Sequence, residues 1–219
     1  MTRILAAALL LAAAAARAGE PEPAGDRPGS RIAVPSNGID EAPRRGTFAE
    51  ASLGAFATLG GSRTFSNAQP YLGLTVGRDL GGASSLFASV GTGASSNSCF
   101  QPAAPGSCAG SDSFGATFLE LGASTGTWLG SRVLLSGKLL GGVTLFAPGP
   151  FTQNDGATVR DQVIAPHAGA GFGLEYKTHL DHFGIGLDGI LRYSLASRPD
   201  GSKSGIASLA VLPRIRYVF

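Results

Sequence analysis

Eight stretches of this chain alternate apolar and small or polar residues with a period of two, and each is long enough to cross a bilayer as a strand. Thr47–Leu59 sets Ala49, Ala51, Leu53, Ala55, Ala57 and Leu59 against Phe48, Glu50, Ser52, Gly54, Phe56 and Thr58. Successive side chains of a strand point to opposite faces, so this pattern builds a two-faced sheet. The same alternation returns near Gln69–Arg78, Ser85–Ala94, Ser113–Ser124, Ser131–Phe146, Val163–Tyr176, Phe183–Leu195 and Gly205–Phe219. An even number of antiparallel strands closes a barrel with both chain ends on one side. The connections alternate too. Asp79–Ser84, Thr125–Gly130 and Lys177–His182 read as tight turns. Gly60–Ala68, Ala94–Asp112, Ala147–Gln162 and Ala196–Ser204 are longer and rich in Pro, Asn, Ser and Gly.

Which face meets lipid follows from the composition of the polar face. A water-facing sheet carries dense Lys and Glu, yet charged residues are 15% of this chain, against about 25% in ordinary domains. The polar face is mostly Gly, Ser and Thr, the small residues that suit the crowded inside of a narrow barrel. Its few charges come in both signs: Glu50, Glu120, Glu175 and Asp188 against Arg132, Lys138, Arg192, Arg214 and Arg216. An Arg or Lys facing lipid at the bilayer midplane costs about 2–4 kcal/mol, so their confinement to one face marks that face as the lumen. Buried charges need partners, and Glu120 with Lys138 on neighbouring strands is the expected pair. The fold class expected is therefore all-β: an eight-stranded antiparallel up-and-down transmembrane barrel over residues 47–219.

Two segments precede the barrel. Arg3, the apolar run Ile4–Ala16 and the small-x-small Ala16-Arg17-Ala18 read as a signal peptide cleaved after Ala18. The run is shorter than the roughly 20 residues a membrane helix needs, and residue 19 is Gly, which offers no lipoprotein cysteine. Residues 19–46 hold five Pro among Gly and charged residues and read as a disordered periplasmic leader. Loss of Arg3 and Arg17 from the 17 basic residues leaves 15 against 15 acidic ones. A neutral chain has no electrostatic footprint for nucleic acid.

The chain ends in Arg216-Tyr217-Val218-Phe219, with Ile215 continuing the apolar face and Pro213 breaking the pattern. Here it resembles the small bacterial outer-membrane β-barrel proteins of the OmpA/OmpX type, whose last strand ends in Phe with alternating apolar residues upstream. The resemblance implies residence in the cell outer membrane and an assembly signal, Tyr217 and Phe219, read by the barrel-assembly machinery.

No cofactor or metal site is expected. Cys99 and Cys108, in the outer loop CFQPAAPGSC, are expected to form a disulfide, since an exported compartment is oxidising. Some small outer-membrane barrels modify lipid A or phospholipid with a rim His, a Ser and an acid. His167 stands in Ala165-Pro166-His167-Ala168-Gly169, without the Ser two positions on that the lipid A deacylases carry. It reads as hydrogen-bonded filling. His179 and His182 form an HxxH in a periplasmic turn that lacks a third ligand. Eight strands leave an interior only wide enough for side chains, which excludes a general porin. The function expected is a non-enzymatic anchor that presents surface loops, in adhesion, envelope integrity or a larger envelope complex such as a gliding-motility or secretion machine. Its partners would be outer-membrane lipid, the assembly machinery and other envelope proteins. The alternatives are a lipid A- or phospholipid-modifying enzyme and a narrow small-solute channel.

Overall fold

The computed structural model describes residues 46–60, 68–96, 113–147, 162–180, 182–197 and 201–219. They form a single sheet closed on itself, β1 (Thr47–Gly60), β2 (Gln69–Gly81), β3 (Ser84–Ser96), β4 (Ser113–Leu129), β5 (Val133–Ala147), β6 (Val163–Lys177), β7 (Phe183–Ser197) and β8 (Lys203–Val218). Each strand pairs antiparallel with its neighbours in sequence, and β1 pairs with β8. Closure leaves no strand edge, which is what a β-structure needs in a solvent that cannot hydrogen-bond backbone.

Following the pairing once round leads from Glu50 through Thr75, Ser89, Glu120, Gly142, His167, Ser194 and Ile206 to Gly60. The return is ten residues further along β1, so the sheet has a shear of ten. Eight strands at that stagger tilt by about 40° from the barrel axis.

The two faces sort as the alternation requires. Leu121 and Leu139 are 71% and 69% exposed on the outside, while Arg192 and Glu175 are 1% and 0% exposed within. Among the described strand residues, the charged side chains that face outward are Arg78 and Lys203, each near a strand end. A soluble barrel would present the opposite arrangement.

The short turns differ in detail from the sequence reading. β2 runs on to Gly81, with a register irregularity between Asp79 and Gly81. The chain reverses at Gly82 and Ala83, where Gly81 (φ 116°) and Gly82 (φ 60°) adopt the left-handed backbone that side chains disfavour. Residues 125–129, expected as turn, instead extend β4 and pair with Val133–Gly137. Thr and Gly there look like turn chemistry, but a three-residue connection built on Gly130 (φ 76°) suffices. Arg132, expected as a lumen charge on a strand, therefore belongs to this turn. Pro213 stays within β8. The β1–β8 register is the same on either side of it, Ser52↔Arg214 before and Ala55↔Val211 after. Pro lacks the N–H that would join the ladder there.

Candidate functional site

The lumen is the chemically distinctive part of the molecule, and it divides into two layers. Toward the end that carries the short turns and the end of β8, Arg214 directs each guanidinium nitrogen at a different carboxylate. Nε donates to Asp188 at 3.1 Å, Nη1 to Glu50 at 2.8 Å and Nη2 to Glu175 at 2.8 Å. Arg216, one inward position below it, donates to Asp79 at 2.5 Å and lies 3.5 Å from both Glu50 and Glu175. Lys138 reaches Asp188 at 2.6 Å, and Lys177 sits 2.9 Å from Glu175 as an ion pair. Four carboxylates (Glu50, Asp79, Glu175, Asp188) thus meet four cations (Lys138, Lys177, Arg214, Arg216). A buried charge is tolerated only when compensated in this way.

The expected Glu120–Lys138 pair is not formed. Glu120 stands opposite Gly142, and Lys138 opposite Ser124, four residues away along the same two strands. Lys138 instead crosses β6, where its register partner is Gly171 and where Asp188 faces Gly173. Two glycines clear the path between β5 and β7.

Glu120 organises the second layer. It receives Arg192 through Nε at 2.5 Å and Nη2 at 3.1 Å, accepts from Ser89 at 3.1 Å, and lies 3.0 Å from His167 Nε2. His167 Nδ1 is 2.8 Å from the Thr144 hydroxyl, itself 3.1 Å from Ser194 Oγ. In the neutral ring the nitrogen facing the carboxylate carries the proton. Nδ1 then accepts from Thr144, and Thr144 accepts from Ser194. Above and around this chain lie Phe56, Phe114, Phe118, Phe146, Ile206 and several alanines, all buried. Phe118 meets Phe56 and His167 edge-on at 5.5 and 5.7 Å.

The rings also hold charge. Arg192 lies 4.7 Å from the Phe118 ring centre and 5.5 Å from that of Tyr71, whose hydroxyl accepts from it at 3.3 Å. Arg216 lies 3.7 Å from the Phe48 ring. Arg192 Nη1 and Arg216 Nε have no hydrogen-bond partner among the described residues, and aromatic faces offset part of that loss. Tyr71 lies across Gly91, where a Cβ would collide with its hydroxyl. A cavity of about 40 Å³ remains between the layers, bounded by Ser52, Thr75, Ser89, Glu120, Lys138 and Arg214. That is room for a few waters.

All eight lumen charges read from the sequence (Glu50, Glu120, Lys138, Glu175, Asp188, Arg192, Arg214 and Arg216) point inward and join one of the two layers. Asp79 and Lys177 were missed because their positions read as turn. Tyr71, Thr144 and Ser194 were missed because hydroxyls on the polar face announce no partner. The inward Phe48, Phe56 and Phe118 carried a legible signal: large rings at polar-face parity.

His167 is buried and fully engaged, as filling would be. His179 and His182 do not converge. His179 contacts Arg132, while His182 Nδ1 lies 2.6 Å from the Val218 carbonyl and the ring stacks on Tyr217 at 5.4 Å. Among the described residues no group of three metal-ligating side chains occurs. Tyr217 and Phe219 lie outside, Tyr217 meeting Phe183 and Phe219 edge-on, each at 5.0 Å. Cys99, Cys108, the signal peptide and the leader up to residue 45 lie outside the described residues.

An apolar outer wall around a neutral, charged lumen, closed by eight strands at a shear of ten, defines a small transmembrane β-barrel of the outer-membrane type. One solved structure bears out the fold, and two others are further matches. Neisserial surface protein A matches with a TM-score of 0.52 at 13% identity, over 79% of this chain and 97% of that one. The outer-membrane protein OprG of Pseudomonas aeruginosa matches at 0.46 and 10%, over 81% and 98%. Ail, the attachment invasion locus protein of Yersinia pestis, matches at 0.43 and 15%, over 78% and 99%. At such identities the likeness speaks to fold. No protein-family model and no curated protein matches the sequence. The protein has the fold of the small eight-stranded outer-membrane barrels.

Proposed function

We propose that the barrel is a non-enzymatic membrane anchor that presents its long connections at the cell surface, in adhesion, envelope integrity or a larger envelope assembly. The observation that carries this reading is the filled lumen. The two polar layers and the aromatic cluster lock β1 to β8 into a rigid cylinder. The connections 97–112 and 148–162, at the end away from the termini, are much longer than the turns at 82–83 and 130–132. In such scaffolds recognition lives in loops held by a rigid frame.

The burial of the His167 chain supports the non-enzymatic reading: Thr144 is 0% exposed, so its hydroxyl has no route to a lipid substrate. A cavity that holds a few waters argues against a small-solute channel. The proposal extends to Cys99 and Cys108, whose bridge would pre-organise the surface segment and reduce the entropy lost on binding. It extends also to Tyr217 and Phe219 as the signal read by the assembly machinery.

The test replaces residues 97–112 with a short Gly/Ser turn. The variant should remain a heat-modifiable barrel in the outer membrane while losing the cell's surface attachment or its crosslinks to envelope neighbours. Unchanged attachment and crosslinking in both this variant and one shortened at 148–162 would defeat the reading. Separately, deletion of Phe219 should lower outer-membrane yield while export across the inner membrane continues.

A further inference from the structure

The outer wall carries one feature that a passive hydrophobic belt does not need. A shallow apolar groove, wide open to the outside, runs across six strands, past Val133 on β5, Tyr176 on β6, Ile185 on β7, Ile215 on β8 and Ala51 on β1 to Leu72 on β2. The first five share one register row. With a shear of ten, such a row climbs away from the turn end as it passes from β5 toward β2. Five strand spacings of about 4.8 Å, on strands tilted by about 40°, give a rise of about 15 Å. That is the depth of one leaflet of a hydrocarbon core about 30 Å thick.

At the foot of the groove stands a cation that meets no carboxylate among the described residues. Arg132 immediately precedes Val133, and its carbonyl accepts from Lys177 N at 2.8 Å. Its Nη1 lies 2.7 and 2.8 Å from the two ring nitrogens of His179. Every lumen cation meets a carboxylate. Arg132 pairs with none among the described residues, and the one ring it touches is itself a base. Tyr176, Phe183 and Tyr217 stand at the same end of the outer wall, the place of an interfacial aromatic girdle. Headgroup phosphates therefore lie level with Arg132, whose planar fork suits phosphate oxygens.

We propose that this groove, with Arg132 and His179 at its foot, binds one anionic glycerophospholipid of the periplasmic leaflet. The phosphate sits on the Arg132–His179 pair, and one acyl chain follows the row from Val133 and Tyr176 up to Ala51. The site uses only the membrane seating of the barrel. It takes no part from the outer connections, so it stands or falls apart from their role in recognition.

The test is native mass spectrometry of the mature chain, refolded into detergent micelles that contain equal amounts of phosphatidylglycerol and phosphatidylcholine with identical acyl chains. The wild type should retain phosphatidylglycerol about fivefold over phosphatidylcholine, the preference one interfacial cation supplies. Arg132→Gln with His179→Gln should bring the ratio to parity. Ala51→Phe, which fills the upper groove, should lower retention of both lipids. Equal retention of the two lipids by the wild type overturns the proposal without recourse to any variant. So does a preference that survives the double substitution, or retention unchanged by Ala51→Phe.

Discussion

The two layers of the lumen solve the same packing problem by different chemistry. Near the turns, Arg214, Arg216, Lys138 and Lys177 interlock with Glu50, Asp79, Glu175 and Asp188. Further up, a single ion pair, Glu120–Arg192, is embedded in hydroxyls, His167 and a cluster of phenylalanines. The lower layer holds by mutual compensation of charge, so the loss of any one member unbalances it. The upper layer holds by ring packing with one polar chain threaded through it, so its cost of damage scales with the volume or the hydrogen bond removed. The lesson is that a narrow barrel can be filled by either means, and that the two fail differently.

The sharpest break is at Arg214. Arg214→Met takes the shared partner from Glu50, Glu175 and Asp188 and leaves four carboxylates against three cations, and should destabilise the barrel by about 3–5 kcal/mol in urea unfolding from lipid vesicles. Adding Glu50→Gln, which removes the carboxylate left with only the 3.5 Å contact to Arg216, should restore part of that loss; a double variant no better than the single would show that charge compensation is not what holds this layer.

Phe118→Ala removes a ring that packs on Phe56, His167 and Arg192 at once. A loss of about 3 kcal/mol is expected, with no rescue from any charge-neutralising partner such as Glu120→Gln. Rescue would mean that the upper layer is electrostatic as well.

The smallest effect tests the threaded chain. Thr144→Val keeps the shape but leaves His167 Nδ1 and Ser194 without their common partner, at about 1–2 kcal/mol. If Thr144→Ser, which keeps the hydroxyl, loses as much as Val, the β-branched packing rather than the hydrogen bond sets the position.

Strand number, inward and outward faces, the inside location of the charges and the lipid-facing outer wall all follow from a period of two combined with the composition of each face. Those are local properties, because a strand residue's face is set by its parity. The sequence by itself therefore determined the barrel and which side chains line it. It did not determine who pairs with whom. Contacts across the lumen depend on the shear, and the shear is a property of closure that no single strand carries. Glu120 and Lys138 sit on adjacent strands of matching parity, yet a stagger of four residues parts them. Lys138 and Asp188, two strands apart, meet because Gly171 and Gly173 leave the space between them open. The same stagger lifts one register row, which begins at Val133 beside Arg132, through Tyr176 up to Ala51, a neighbourhood that only the closed sheet could assemble.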